Sequence, residues 1–266
     1  MSLDGKNMTR RFFPLLFVLG CLLAGRLIAN PVEDFSVKDV EKLGKEIFER
    51  DQMAAVATDL MLAQGLDLSR YPLRGWVTER NGKNSLVTFV GDYDGEHLAI
   101  FQIEQKGKKA PSFSKVEKQA LTRYQSAAFK ARLLASGAFD EFCSDSYNIA
   151  VLPDIDGDGF LVYALAATRD PDAVLVGGHY RFRVSADGGE IERTEKLFAS
   201  CLVLDKSPGN MPEGASLAAL TMSHVVSERP LETHVFLNYL HRMDFYVVTQ
   251  DQTFWKLRGG KLKNMK

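Results

Sequence analysis

From Ser36 to Gln64 the apolar positions Val40, Leu43, Ile47, Ala54, Ala57 and Met61 return at intervals of three, four and seven. That spacing lays one apolar stripe along a helix, with Ser36 as its N-cap and Gly65 as its stop. The period then drops to two. Residues 76–80 and 85–90 alternate and flank Asn81-Gly82, a pair that accepts the positive φ angles of a tight hairpin turn. A third strand over 97–104 follows the turn Asp92-Tyr93-Asp94-Gly95 and completes an antiparallel meander. Ser114-Lys115-Val116-Glu117 has the capping-box pattern, so a second helix is expected near residues 114–136, with Gly137 as its end.

Beyond Phe142 the pattern is mostly that of strands, over 148–152, 160–167, 179–184, 191–196 and 199–204, joined by Asp/Gly-rich turns such as Asp187-Gly188-Gly189. Residues 205–214, with two prolines and two glycines, form a long non-periodic stretch that reads as a linker or a contact-bearing surface loop. Apolar segments recur over 217–226, 235–240, 245–249 and 253–257. These elements predict an α+β fold with a mainly antiparallel β-sheet. A helix, three-strand, helix unit over 30–142 precedes an antiparallel β-rich unit over 143–266, the two being either separate or one continuous domain.

The first thirty residues change the picture of where such a fold works. Arg10 and Arg11 precede an apolar run from Phe12 to Leu23, and Leu27-Ile28-Ala29 stands before Asn30-Pro31. This is the layout of a secretory signal peptide over 1–29, with an h-region too short to span a bilayer as an anchor. Export to the periplasm, of the Gram-negative type, is the expectation. Val18-Leu19-Gly20-Cys21 also looks like a lipid-attachment box, but the residues after Cys21 stay apolar where a lipoprotein turns polar, and cleavage after Ala29 is preferred. The chain beyond residue 29 carries a net charge of about −4, and no global field argues for nucleic acid or an anionic membrane. Two cysteines remain, Cys143 and Cys201, and in an oxidising compartment a disulfide is their simplest use. A nucleophilic Cys143 lacks any family signature around it.

Candidate chemistry is sparse. Asp154-Ile155-Asp156-Gly157-Asp158-Gly159 matches the first half of a calcium loop, with carboxylates at positions 1, 3 and 5 and glycine at 6; position 12 is Leu165, so the alternative is a polar hairpin turn. His224, His234 and His241 cluster near Glu228, Glu232 and Asp244 without His-Glu-x-x-His spacing, and read as packed strand residues in preference to a zinc or acid–base set. Gly214-Ala215-Ser216-Leu217-Ala218 lacks the second glycine of a nucleophile elbow, and Gly177-Gly178 lacks a phosphate loop's spacing. Eight basic residues between Lys106 and Arg132, including Lys115, Lys118 and Arg123, face one acidic residue, Glu117. Tyr180-Arg181-Phe182-Arg183 puts two arginines on one strand face, and arginine with aromatics is the usual make-up of interface anchors. The expectation is an exported non-catalytic protein that binds another protein through Lys115, Lys118, Arg123, Arg181 and Arg183, as an inhibitor or an immunity protein does, without a cofactor other than a weak calcium site. The competing expectation is a periplasmic hydrolase built on the three histidines, with or without a metal.

Overall fold

The computed structural model describes residues 32–207, 209 and 217–266, and these hold three α-helices and fourteen strands in an α+β arrangement with mostly antiparallel pairing. Helix α1 (Val37–Leu62) starts where the spacing places it, at Ser36, whose hydroxyl accepts the Asp39 backbone N–H. It is long because it covers two sheets. Its first half, through Val40, Leu43 and Ile47, joins one core, and its second half, through Ala57 and Met61, joins another.

Strands β1 (Leu73–Asn81), β2 (Asn84–Tyr93), β3 (Glu96–Gln105) and β4 (Ser112–Ala120) form an antiparallel meander in chain order. The first turn lies one residue later than expected: Asn81 pairs with Asn84, and Gly82, at φ 60°, opens the two-residue loop. Strand β4 corrects the second helix. Residues 112–120 pair with β3, where Phe113 packs on Phe101 at 5.5 Å, and a buried apolar contact outweighs a local capping pattern. Helix α2 (Arg123–Ser136) uses a second copy of the same pattern instead, Thr122 and Gln125, each accepting the other's backbone N–H.

The next strands are β5 (Ser146–Pro153), β6 (Phe160–Ala167), β7 (Ala173–Leu175), β8 (Tyr180–Val184), β9 (Ile191–Lys196) and β10 (Val203–Asp205). A second antiparallel sheet has the order β5-β6-β8-β9, while β7 and β10 form a separate ribbon; of the expected strand 199–204 only 203 and 204 are extended, within β10. Alternation along β6 decides the layering. Phe160, Val162 and Ala164 face α2, and Leu161, Tyr163 and Leu165 face the core shared with α1. Then β11 (Ala219–Ser223), helix α3 (Glu232–His241) and β12 (Asp244–Val248) make a parallel crossover, extended antiparallel by β13 (Phe254–Arg258) and β14 (Lys261–Asn264).

Helix α3 stands where the sequence reads as strand. Residues 232–238 are all buried, so no polar stripe marks the period. Its axis approaches α1 at Gly44, where a Cβ atom would lie 2.5 Å from the Val235 Cβ. The described residues cluster into one compact unit. Among the described residues no helix is long and apolar enough to cross a membrane. The expected signal segment, Cys21 and Ser216 lie outside the described residues.

Candidate functional site

Cys143 and Cys201 form the expected disulfide, with their Cα atoms 5.2 Å apart. The bond fastens the loop after α2 to the strap that precedes β10, and Gly177-Gly178 is what lets it lie there. A Cβ at Gly178, whose φ is 83°, would collide with the Cys143 side chain, and one at Gly177 with the Ser200 carbonyl. The Cys143 N–H donates to the Tyr147 hydroxyl, and the Tyr180 hydroxyl donates to the Glu141 carbonyl. Phe139 fills the space behind, stacked on Tyr180 at 5.0 Å and against Tyr147 at 4.8 Å.

Phe142 sits on this cluster, 5.1 Å from the Phe139 ring, and keeps 63% of its surface in water. Val203, two residues past Cys201, is 49% exposed, and Leu133 and Leu134 are exposed near the end of α2. Asp140, Glu141 and Asp145 stand exposed on the same loop, with Glu141 paired to Lys196. Phe142 is thus a bare aromatic on an aromatic base, on a loop that also carries three exposed carboxylates.

The arginines of β8 have a different role from the one expected. Tyr163, Arg181 and Glu195 stand in register across β6, β8 and β9, under the first turn of α3, which supplies Glu232. Arg181 is buried and pairs with Glu195 at 2.6 Å and Glu232 at 2.7 Å. Burial opposes its charge, but Glu232, with Tyr163 and Glu195 beside it, holds the guanidinium above its ordinary range. Its remaining nitrogen donates to the Glu33 carbonyl at 2.8 Å, while the Glu33 N–H donates to Glu195. Arg181 is thus a core clamp on the segment before α1, not a surface anchor.

Arg183 is mostly buried and bridges Glu33 at 3.0 Å, Asp154 at 3.3 Å and Asp156 at 3.7 Å. A guanidinium therefore occupies the side of the aspartate loop where the sequence allows calcium. Asp154 also accepts the Asp156 N–H, which makes this a stapled hairpin turn; Asp158 lies apart, on a cavity with Arg123. Among the described residues no group of three or more His, Cys, Asp or Glu side chains is arranged to hold a metal ion.

Of the three histidines, two meet. His224 and His234 are buried, rings 4.6 Å apart and edge to face, beside Phe198. The Ser227 hydroxyl donates to the Arg229 carbonyl, so it accepts from His224 Nε2–H. His234 Nδ1 accepts the Leu231 N–H, filling the role that Glu or Gln has in a capping box. Burial lowers both, His224 to about 4 and His234 well below its ordinary value. They are packing residues at the start of α3 and the end of β11. His241 stands at the far end of α3, so the trio does not form one cleft.

The basic run does not form one helix face either. Lys115 and Lys118 lie exposed on the edge strand β4, over the rings of Tyr71 and Tyr93 at 5.2 and 4.1 Å. Arg123 is exposed at the first position of α2, and Arg132 is buried on Trp76, its guanidinium 4.0 Å from the ring, with burial lowering it to about 10. The sequence reading missed Arg80, which lines a cavity of about 260 Å³ between α1 and the β1–β2 turn, pairing there with Glu46 and Glu49. It also missed Glu195 and Asp51, and it named Glu232 only as a neighbour of the histidines, not as a partner of Arg181. Acidic residues inside apolar strand and helix patterns are the signal that marks Glu195 and Glu232 as partners of a buried cation.

No family profile matches the chain, and no curated protein matches it. Among solved structures the chain is similar to the Bacillus megaterium YpeB C-terminal domain at 13% identity, over 62% of this chain and 66% of that one, with a TM-score of 0.18. The aligned part thus spans just under two thirds of that domain. So slight a likeness carries no argument about fold or function.

Proposed function

We propose that this is an exported, non-catalytic protein of the periplasm that binds another protein, as an inhibitor or immunity protein does, through the disulfide-pinned loop around Phe142. The observation that carries the reading is the exposure of Phe142 on a rigid aromatic base. Exposing so large an apolar ring is unfavourable in water, and aromatic side chains held in one conformation lose little entropy on binding. The carboxylates of Asp140, Glu141 and Asp145 favour a partner that is basic around its pocket. The leader and the disulfide support the compartment.

The test uses residues 30–266 as bait in an envelope extract of the source organism, with wild-type and Phe142→Ala protein side by side. The expected result is one stoichiometric partner whose own activity falls when the bait is added. Its affinity for the Phe142→Ala bait should be about 30-fold weaker, the effect of losing one hot spot of about 2 kcal/mol. Equal capture by both baits, or an active partner in the complex, overturns the reading.

A further inference from the structure

The cavity of about 260 Å³ beside α1 is a groove between that helix and the meander, used by neither the Arg181 clamp nor the Phe142 loop. Its floor is apolar because Val87 of β2 and Ile103 of β3 stand opposite each other in register and belong to the core under the second half of α1. Met53 and Val56 of the helix and Pro111, just before β4, line its sides. Val56 keeps 50% of its surface in water, an apolar side chain with nothing described to cover it.

The mouth of the groove is basic. The β1–β2 and β3–β4 turns lie at the same end of the meander, and the Gly107 N–H donates to the Asn84 side chain at 3.0 Å, joining them. Lys83 stands exposed on the first turn and lines the groove; Lys106, Lys108 and Lys109 stand exposed on the second. Lys106 pairs with Glu104 at 3.0 Å, whereas Lys83, Lys108 and Lys109 make no ion pair among the described residues. On the helix side Arg80 and Lys45 are matched by Glu46 and Glu49, so that group is close to neutral. The mouth therefore sets four lysines against one carboxylate, and the start of the basic run in the sequence gathers here with Lys83.

A cationic mouth on an apolar groove complements an anion with an apolar tail. A peptide fits less well. Strands β2 and β3 are the inner strands of the order β1-β2-β3-β4, so their backbone groups are already paired and a peptide laid over them would find no edge for its own amides. An acyl chain has no amides to satisfy. A flat bilayer does not reach this floor either, since Val87 and Ile103 are 2% and 4% exposed at the bottom of the groove.

We infer that this groove binds a single-chain anionic amphiphile, of the class of a free fatty acid, its chain on the Val87–Ile103 floor against Val56 and its carboxylate at Lys83, Lys108 and Lys109. The volume falls just below the about 300–1,000 Å³ of small-molecule sites, which suits a chain of medium length.

The test is calorimetric titration of residues 30–266 with three probes kept monomeric: decanoate, decyltrimethylammonium, which has the same chain with the opposite charge, and acetate, which has the head without the chain. Decanoate is expected to bind saturably, more weakly with added salt, and the other two at least 10-fold more weakly than decanoate. Changing Lys83→Glu, Lys108→Glu and Lys109→Glu together should weaken decanoate at least 10-fold, and so should Val56→Glu alone, which closes the groove from the helix side. All four positions are exposed, so both variants keep the fold, which a thermal melt verifies. Absence of saturable decanoate binding, equal affinity for the cationic probe, or binding indifferent to both variants overturns the inference. Binding to phosphatidylglycerol vesicles without binding to monomeric decanoate overturns it too, by assigning the lysines to a bilayer surface.

Discussion

Arg181 carries its charge where water does not reach, and three other groups depend on it. Removing it leaves Glu195 and Glu232 buried without their common cation, so Arg181→Leu is expected to lose about 3–5 kcal/mol of folding stability, read as a lower urea midpoint. Replacing Arg181, Glu195 and Glu232 together by apolar residues should recover most of that loss, because the desolvation of all three charges then disappears as well. A single substitution with no effect would mean that the network is solvated. The buried histidines set the response to acid. An unfolded imidazole titrates near 6.5, whereas burial holds His179 and His224 at about 4 in the fold. Between those values the unfolded chain binds more protons, so stability is complete above about pH 6.5 and drains as the pH falls toward 4. Melting temperatures at pH 7.5, 5.5 and 4.5 should fall in that order, and His224→Phe should shallow the decline. A flat profile would count against burial of these rings.

At the scale of elements, what the sequence made legible was local. The α1 stripe, the meander hairpins and the strands at 160–167 and 191–196 each declare themselves through spacing within one contiguous stretch, and each is present. The failures are places where a distant partner decides. Residues 112–120 carry a helix-start pattern but pair with β3, and α3 lacks a polar face because α1 and the final sheet cover it on both sides. Which histidines meet, and the Arg181 clamp, were unreadable for the same reason: His224 and His234 are packed as the sequence reading preferred, but they meet because β11 and α3 are set by non-local pairing, and Glu232 reaches Arg181 across 51 residues. The α1–α3 crossing gives its own prediction. Gly44 lets the helices touch, and a methyl there would meet the Glu232 carbonyl at 2.6 Å. Gly44→Ala should cost about 1–3 kcal/mol by forcing the helices apart, against the usual gain from glycine to alanine within a helix. Chemical denaturation of the two proteins decides the sign.

At the scale of the whole molecule, the Cys143–Cys201 bond constrains a long segment, with 58 positions separating its ends. Reduction is expected to lower stability by about 4 kcal/mol through the freedom it returns to the unfolded chain, measurable as the difference between urea midpoints with and without reductant. Equal midpoints would show that the bond acts only on the local loop. The clasp over the segment before α1 and its first turns spans further still. Glu33 is held by residues 148 and 162 positions later, the Phe35 carbonyl by Arg229 at 194, and Glu41 by Lys261 at 220. A polypeptide emerging from the ribosome therefore presents these early residues long before the groups that receive them exist. Residues 33–41 stay incompletely clasped until synthesis has passed Arg229 and Lys261, and a chain stalled earlier offers α1 to any holding chaperone nearby.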